Sequence, residues 1–354
     1  MNLDLPENYE KNSETFNSIR MLADQIEQAW NETEHSSMPQ SCTLARQVIV
    51  CGMGGSSLAG RFIKYLFRQS LRSPLEICSG YSLPNYAGPG SLVIVCSYSG
   101  NTEETLYAAY EARQKNTQIY GITTGGKLKE FLERYNYPSY IFEPKFNPSG
   151  QPRFGIGYMI GATLSILSKC EFISFSEEIM YEAIKVVRRS LNDFTIDKDE
   201  YTNLAKKTAR ELYGKAISII ASEHLLGASY IFKNQLNETA KTMSYLYEIP
   251  ELNHHLMEGL KNPALIKEHV KFFFVESELY NDQVKRRYPI TKEVIDKNDI
   301  DWIVYKPLTD TKIFQAFEFI SFASFVSAYL SLLYGENPIE IPWVDFFKSA
   351  LEKR

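Results

Sequence analysis

Two short loops carry the residues best suited to chemistry in this sequence. Gly52-Met53-Gly54-Gly55-Ser56-Ser57 follows an apolar, strand-like run and opens a helical stretch; Ser97-Tyr98-Ser99-Gly100-Asn101-Thr102 does the same further along. Each combines hydroxyls, a permissive glycine and the N-terminus of a helix, where outward-facing backbone N–H groups and the dipole favour an anion. The first is not the dinucleotide fingerprint, because Ser57 stands in place of its third glycine, and it is not a P-loop, since no Gly-Lys-Ser/Thr follows. Singly, each loop has a plain alternative: a tight turn with a Ser cap, and a Thr102 N-cap with Glu103 and Glu104 complementing the dipole. Together they describe a grip made of neutral donors, because neither loop contains Lys or Arg. A phosphomonoester on a sugar fits that inventory better than a nucleoside triphosphate.

Other groups could act on whatever is held there. Pro148-Ser149-Gly150-Gln151-Pro152-Arg153 ends a Pro/Gly-rich turn on a cation, able either to stabilise a developing oxyanion or to make surface hydrogen bonds at a helix start. Glu238, in Asn237-Glu238-Thr239, lies near the end of a long helical stretch, as a solvated side chain or as an acid/base. Pro250-Glu251-Leu252-Asn253-His254-His255 follows and holds two of the five histidines. No third ligand stands beside them at metal spacing, so the expectation is no metal, and either ring is available as an acid/base near neutral pH.

These groups need elements to position them. The first half alternates strands (Gln47–Cys51, Leu75–Cys78, Leu92–Cys96, Thr117–Ile122, Tyr140–Phe142) with helices (Ser57–Gln69, Glu103–Lys115, Leu128–Tyr135), and a small-residue-rich helix Gly155–Lys169 follows. That alternation predicts a parallel sheet covered on both faces. In a doubly wound sheet of order 2-1-3-4-5, strands one and three are neighbours, and ligands bind in the crevice between their C-terminal ends. The two loops leave those two ends. The second half repeats the plan: helices Glu177–Asn192 and Glu200–Tyr213, a strand Ala216–Ala221, a helix Leu225–Thr239, then strands Tyr245–Glu248, Phe272–Val275 and Trp302–Tyr305. The halves divide near 170–185 with no low-complexity linker, so two packed domains are expected, 1–175 and 176–354.

Composition agrees with this reading. The chain has 354 residues, a length for about two domains. With 38 Lys+Arg against 43 Asp+Glu, a net of −5, it lacks the basic excess of a nucleic-acid binder. Its five cysteines form no C-x-x-C pair and fit a reducing compartment. The N-terminus carries no apolar signal-like region. Ile313–Tyr334 approaches a membrane span in length, but Gln315 and Glu318 interrupt it; a buried core helix is the expectation and a terminal anchor the poorer alternative. Aromatic residues at 13% provide ample packing surface and material for a subunit interface.

The combination Gly-Met-Gly-Gly-Ser, Ser-Tyr-Ser-Gly-Asn-Thr-Glu-Glu-Thr-Leu, Pro-Ser-Gly-Gln-Pro-Arg, Asn-Glu-Thr-Ala-Lys and Pro-Glu-Leu-Asn-His resembles the bifunctional phosphoglucose/phosphomannose isomerases, which are built from two sugar-isomerase (SIS) domains. The resemblance runs from about residue 45 to the C-terminus, in order and spacing. It implies that Gly54, Gly55, Ser56, Ser97, Ser99 and Thr102 hold the sugar phosphate. It further implies that Glu238 is the base moving a proton between C1 and C2, that Arg153 stabilises the enediolate, and that His254 and Lys348 open the sugar ring. It implies a metal-free, cofactor-free homodimer in which His254 is shared across the interface. Two departures stand out: His255 replaces the Asn common after the family's His, and Asn337-Pro338-Ile339 stands where the family often has Asp-Pro-Thr. The hydroxyl of that Thr is linked to acceptance of both C2 epimers, so mannose 6-phosphate stays open beside glucose 6-phosphate.

The resulting expectation is an α/β protein of two doubly wound, flavodoxin-like SIS domains packed together. It is read as a cytoplasmic isomerase interconverting glucose 6-phosphate (and mannose 6-phosphate) with fructose 6-phosphate, with no nucleic-acid or membrane partner. A non-catalytic phosphosugar sensor and an isomerase for another phosphosugar are the alternatives.

Overall fold

The computed structural model describes every residue except His35, Ser37 and Arg354. Five strands, β1 (Gln47–Cys51), β2 (Leu75–Cys78), β3 (Ser91–Ser97), β4 (Gln118–Thr123) and β5 (Ser139–Ile141), form a wholly parallel sheet of order β2-β1-β3-β4-β5. Every residue of β3 is buried, as a central strand covered on both faces requires. The strand order reverses between β1 and β3, which creates the crevice expected from the loops. Four more strands, β6 (Ala216–Ala221), β7 (Ser244–Glu248), β8 (Val270–Val275) and β9 (Asp301–Tyr305), form a second parallel sheet of order β7-β6-β8-β9 with the same winding. Two parallel-sheet α/β domains are therefore the architecture.

Element ends differ from the sequence reading by a few residues, and local chemistry explains the largest difference. The helix expected from Glu200 begins at Leu204, because the Asn203 side chain accepts the N–H groups of Ala205 and Lys206 and caps it there.

The domains are joined through helices, and one apolar core runs through both. Helix Gly55–Leu66, which follows β1, packs on helix Leu226–Glu238, which follows β6. Their approach is close: a Cβ on Gly227 would lie 2.5 Å from Phe62 Cα, so only glycine permits this crossing. Gly227 meets the later turns of its neighbour, whereas Glu238 reaches the segment beside Gly55. The two helices are thus antiparallel, and the C-terminal edge of the first sheet faces the helix end beneath the second.

Helix Lys312–Tyr334 is long and apolar enough to cross a membrane by length and composition, yet every residue from Gln315 to Leu333 is buried inside the protein. Its polar residues find partners within the fold. Glu318 accepts the Tyr305 hydroxyl, the N–H groups of Leu308 and Thr309, and the Thr309 hydroxyl. A buried carboxylate is tolerable on such terms. This is the core helix of the second domain.

Candidate active site

The two loops meet as the strand order requires. The backbone N–H of Tyr98 donates to Ser56 Oγ at 3.0 Å, joining the first loop to the second. Thr102 is the N-cap with Glu103 and Glu104 in the first turn, as its plain alternative has it, but in neither loop does a side chain cap the helix. The N-cap of helix Gly55–Leu66 is Gly54, which has no side chain to cap with, and Thr102 at the N-cap of helix Glu103–Gln114 makes no side-chain cap bond. Instead Ser97 Oγ donates to Thr102 Oγ1 at 3.0 Å and accepts the Gly100 N–H at 3.1 Å. Ser99 Oγ accepts the Asn101 N–H at 3.3 Å. Ser56, Ser99 and Thr102 are therefore engaged as acceptors within the loops, and their hydroxyl protons remain to be donated to an anion. Ser97, at 1% exposure, acts from inside as the spacer that orients Thr102 and Gly100.

A third loop, Thr123-Thr124-Gly125-Gly126-Lys127, supports the second. Thr124 donates its N–H and hydroxyl to Tyr98 O, and the Lys127 N–H donates to Asn101 Oδ1. Gly100 sits at φ 72°, and a Cβ there would lie 1.7 Å from Gly125 O. The sequence signal was present, since this is another glycine-rich turn between a strand and a helix, but sequence reasoning passed over it.

Arg153 is brought to the same crevice by its own turn. Gly55 faces Pro152 and Arg153, with ideal-Cβ distances of 3.5 and 3.6 Å to Pro152 O and Arg153 N. Asn147 Nδ2 donates to the Tyr98 hydroxyl at 2.8 Å. The N-terminal helices, whose role was not legible in the sequence, hold this segment from behind. Gln25, in helix Leu22–Glu34, donates to Phe146 O and Phe154 O and accepts the Gly157 N–H, while Ser18 accepts the Ser149 N–H.

The Arg153 side chain is 3% exposed. Nη1 bonds Gln151 Oε1 at 3.1 Å and stands 3.8 Å from Glu238 Oε2; Nη2 donates to Pro338 O at 2.6 Å and Ile339 O at 2.7 Å. Nε, though buried, has no partner. Burial pulls the guanidinium below its ordinary value, and the charges of Glu238 and Asp345 pull it back up. Glu238 is the last residue of its helix. Burial raises its carboxyl above the usual carboxylate range, while Arg153, Lys348 and Lys241 act against that rise. Lys348, on the C-terminal helix Pro342–Glu352, thus belongs to the same electrostatic cluster. Lys241, Gln151 and the carbonyls of 337–339 belong to it too; the sequence drew notice to 337–339 only for the side chain at 339, and gave Lys241 and Gln151 no part.

His254 does not join this group within the chain. It ends the short turn Glu251–His254 and is exposed, as is His255. Glu238 precedes the start of β7 and His254 follows its end, and a five-residue strand alone spans about 15 Å. The two side chains therefore belong to opposite edges of the second sheet.

Comparison with known proteins follows this division. A model of the SIS domain matches residues 43–132, and a model of the bacterial phospho-glucose isomerase C-terminal SIS domain matches residues 201–351. A bifunctional phosphoglucose/phosphomannose isomerase of Caldicellulosiruptor bescii is 29% identical over 343 residues, covering 95% of this chain and 98% of that one. Another, from Pyrobaculum calidifontis, is 31% identical over 231 residues, covering 64% of this chain and 68% of the relative. The chain belongs to the bifunctional phosphoglucose/phosphomannose isomerase family. Among solved structures, the tagatose-6-phosphate ketose/aldose isomerase of Escherichia coli has the same fold, with a TM-score of 0.70 at 16% identity over 92% of this chain and 94% of that one. Along the chain the hydroxyl loops lie within the first matched segment and Glu238 within the second, while Arg153, between the two segments, lies against Gly55 of the first and faces Glu238 of the second.

Proposed function

We propose that the protein is a phosphohexose aldose–ketose isomerase, interconverting glucose 6-phosphate and mannose 6-phosphate with fructose 6-phosphate through a cis-enediolate. The observation that carries this reading is the Glu238 carboxylate facing the Arg153 guanidinium at 3.8 Å, beside loops whose hydroxyl protons are free to donate. The phosphate is held by Gly54, Gly55, Ser56, Ser99 and Thr102, with Ser97 orienting Thr102 and Gly100 from behind. Glu238 removes the C2 proton of the open-chain aldose and returns it to C1, while the O2 proton passes to O1, so the net change is a shift of the carbonyl from C1 to C2. A raised carboxyl is a better proton carrier near neutral pH than an ordinary one. Arg153 stabilises the enediolate oxygens; of its five N–H groups three are bonded within the protein, which leaves Nε–H and one N–H of Nη1 as donors. No metal or cofactor has a part in these steps.

Ring opening falls to Lys348 and to His254 of the partner subunit in a homodimer. Two observations support a partner there. His254 and Glu238 lie at opposite edges of the sheet, and the C-terminal helix carrying Lys348 exposes Trp343, Phe346, Phe347 and Leu351 together. We assign 1–175 to the phosphate-binding domain and 176–354 to the domain supplying Glu238 and His254. A place in central carbohydrate metabolism in the cytoplasm fits this substrate and the free, buried cysteines. A coupled assay forming glucose 6-phosphate or mannose 6-phosphate from fructose 6-phosphate tests the reading. Wild type should turn over without added metal and Glu238→Gln should not; phosphosugar binding without turnover by wild type would establish a sensor instead.

A further inference from the structure

The turn before the C-terminal helix is gripped from both domains. Arg153, from the first, donates through Nη2 to the carbonyls of Pro338 and Ile339. Lys241, from the second, donates through Nζ to the carbonyl of Asn337, and also to Thr239 O at 3.2 Å. Three successive carbonyls are thus taken by two cations, one of which is the guanidinium facing Glu238. The turn is itself braced for this: Asn337 Oδ1 accepts the Ile339 N–H at 2.9 Å, and Asn337 Nδ2 donates to Glu340 Oε1 at 2.8 Å.

Lys241 stands three residues beyond Glu238, in the segment joining its helix to β7, and takes φ 52°. A non-glycine residue in the left-handed region is strained and persists only where its surroundings hold it there. The carbonyls of Thr239 and Asn337 supply that hold. Burial, then the Arg153 charge, lower its ammonium to about 8 although the residue keeps exposed surface, while Glu336, Glu340 and Glu238 act the other way.

We propose that Lys241 is a positioning residue: by clasping Asn337 O while Arg153 clasps the next two carbonyls, it fixes the separation of the base and the enediolate-binding guanidinium and seats the helix carrying Lys348. The inference rests on the isomerase reading above. Lys241 acts through Glu238, Arg153 and Lys348 and does not touch the sugar. Its loss therefore affects turnover and leaves the phosphate grip intact, since misplacing reacting groups by about 1 Å costs on the order of 100-fold.

The test uses full-length wild type, Lys241→Met and Lys241→Arg, with fructose 6-phosphate turnover and binding of glucitol 6-phosphate, an open-chain phosphosugar with no carbonyl to isomerise. The expected result is a fall in kcat of about 10- to 100-fold in Lys241→Met, with glucitol 6-phosphate affinity within about threefold of wild type and at least partial recovery in Lys241→Arg, whose guanidinium can also grip carbonyls. An unchanged kcat in a folded Lys241→Met overturns the positioning role while leaving the isomerase reading standing. Loss of glucitol 6-phosphate binding together with kcat also overturns it, because Lys241 would then be a ligand. If Lys241→Met does not fold, Lys241→Gln, which also removes the cation, takes its place and is judged on the same criteria. A wild type that binds glucitol 6-phosphate but turns nothing over defeats the isomerase reading itself.

Discussion

Arg153 and Glu238 stand 3.8 Å apart, one on a turn after the first sheet and the other at the end of a helix of the second. Each perturbs the other, and burial opposes both charges. The pair exists because the antiparallel packing of Gly55–Leu66 and Leu226–Glu238 aims the end of the second helix at the crevice of the first sheet.

Removing the carboxylate should remove the chemistry. Glu238→Gln keeps shape and hydrogen bonding but cannot carry a proton, and loss of a general base typically costs about 10²- to 10⁴-fold in rate. Steady-state assays should show that fall in kcat with glucitol 6-phosphate binding retained. A variant within twofold of wild type would remove Glu238 from the mechanism.

The acid limb of the pH–rate profile should report the same group. Glu238 must be deprotonated to take the C2 proton, and burial raises it, so kcat/KM falls with decreasing pH through a value above the ordinary carboxylate range. Lys348 is one of three cations opposing that rise. Lys348→Met should therefore move the limb to still higher pH, in addition to slowing ring opening. A limb that stays in place or moves down contradicts the electrostatic assignment.

Shared sites predict complementation. Glu238→Gln and His254→Asn homodimers should each be inactive. If they are unfolded and refolded together in equal amounts, half the dimers are mixed and each has one intact site, giving about a quarter of wild-type activity. His255→Asn should behave as wild type. No recovery on mixing would mean that His254 does not act across an interface.

Gly100 should be intolerant of a side chain. An added methyl would lie 1.7 Å from Gly125 O at a φ of 72°, so Gly100→Ala should lose at least about 1–3 kcal/mol of stability. It should also weaken phosphosugar binding, because the Gly100 N–H bonds Ser97, the residue that orients Thr102. Urea unfolding and glucitol 6-phosphate titration check both effects.

Ile339 lets the two epimers be compared. Its carbonyl and N–H are already committed to Arg153 and Asn337, so Ile339→Thr changes the side chain and leaves the turn in place. The ratio of mannose 6-phosphate to glucose 6-phosphate turnover should rise several-fold in that variant; an unchanged ratio would show that the missing hydroxyl does not set epimer preference.

Much of the fold was legible because strand and helix are local. β1, β2 and β6 lie within the residues read from β-branched, apolar runs, and the order β2-β1-β3-β4-β5 is the doubly wound order under which the two loops were expected to meet. The hydroxyl loops were legible only as a pair, since each alone also fits a capped turn and their meaning came from leaving the ends of neighbouring strands. Lys241 was not, because a lysine beyond a helix end looks like any solvated cation until Asn337 is folded against it.

The amino-acid sequence by itself determined two wound sheets, the hydroxyl loops and the types of the reactive groups, because these depend on neighbours a few residues apart. Tertiary structure alone decided that Lys241 joins Arg153, Glu238 and Lys348, that the N-terminal helices brace the Arg153 turn, and that His254 lies at the other edge of the second sheet. Those relations depend on one antiparallel helix crossing at Gly227, a contact between residues more than a hundred positions apart that no local periodicity encodes.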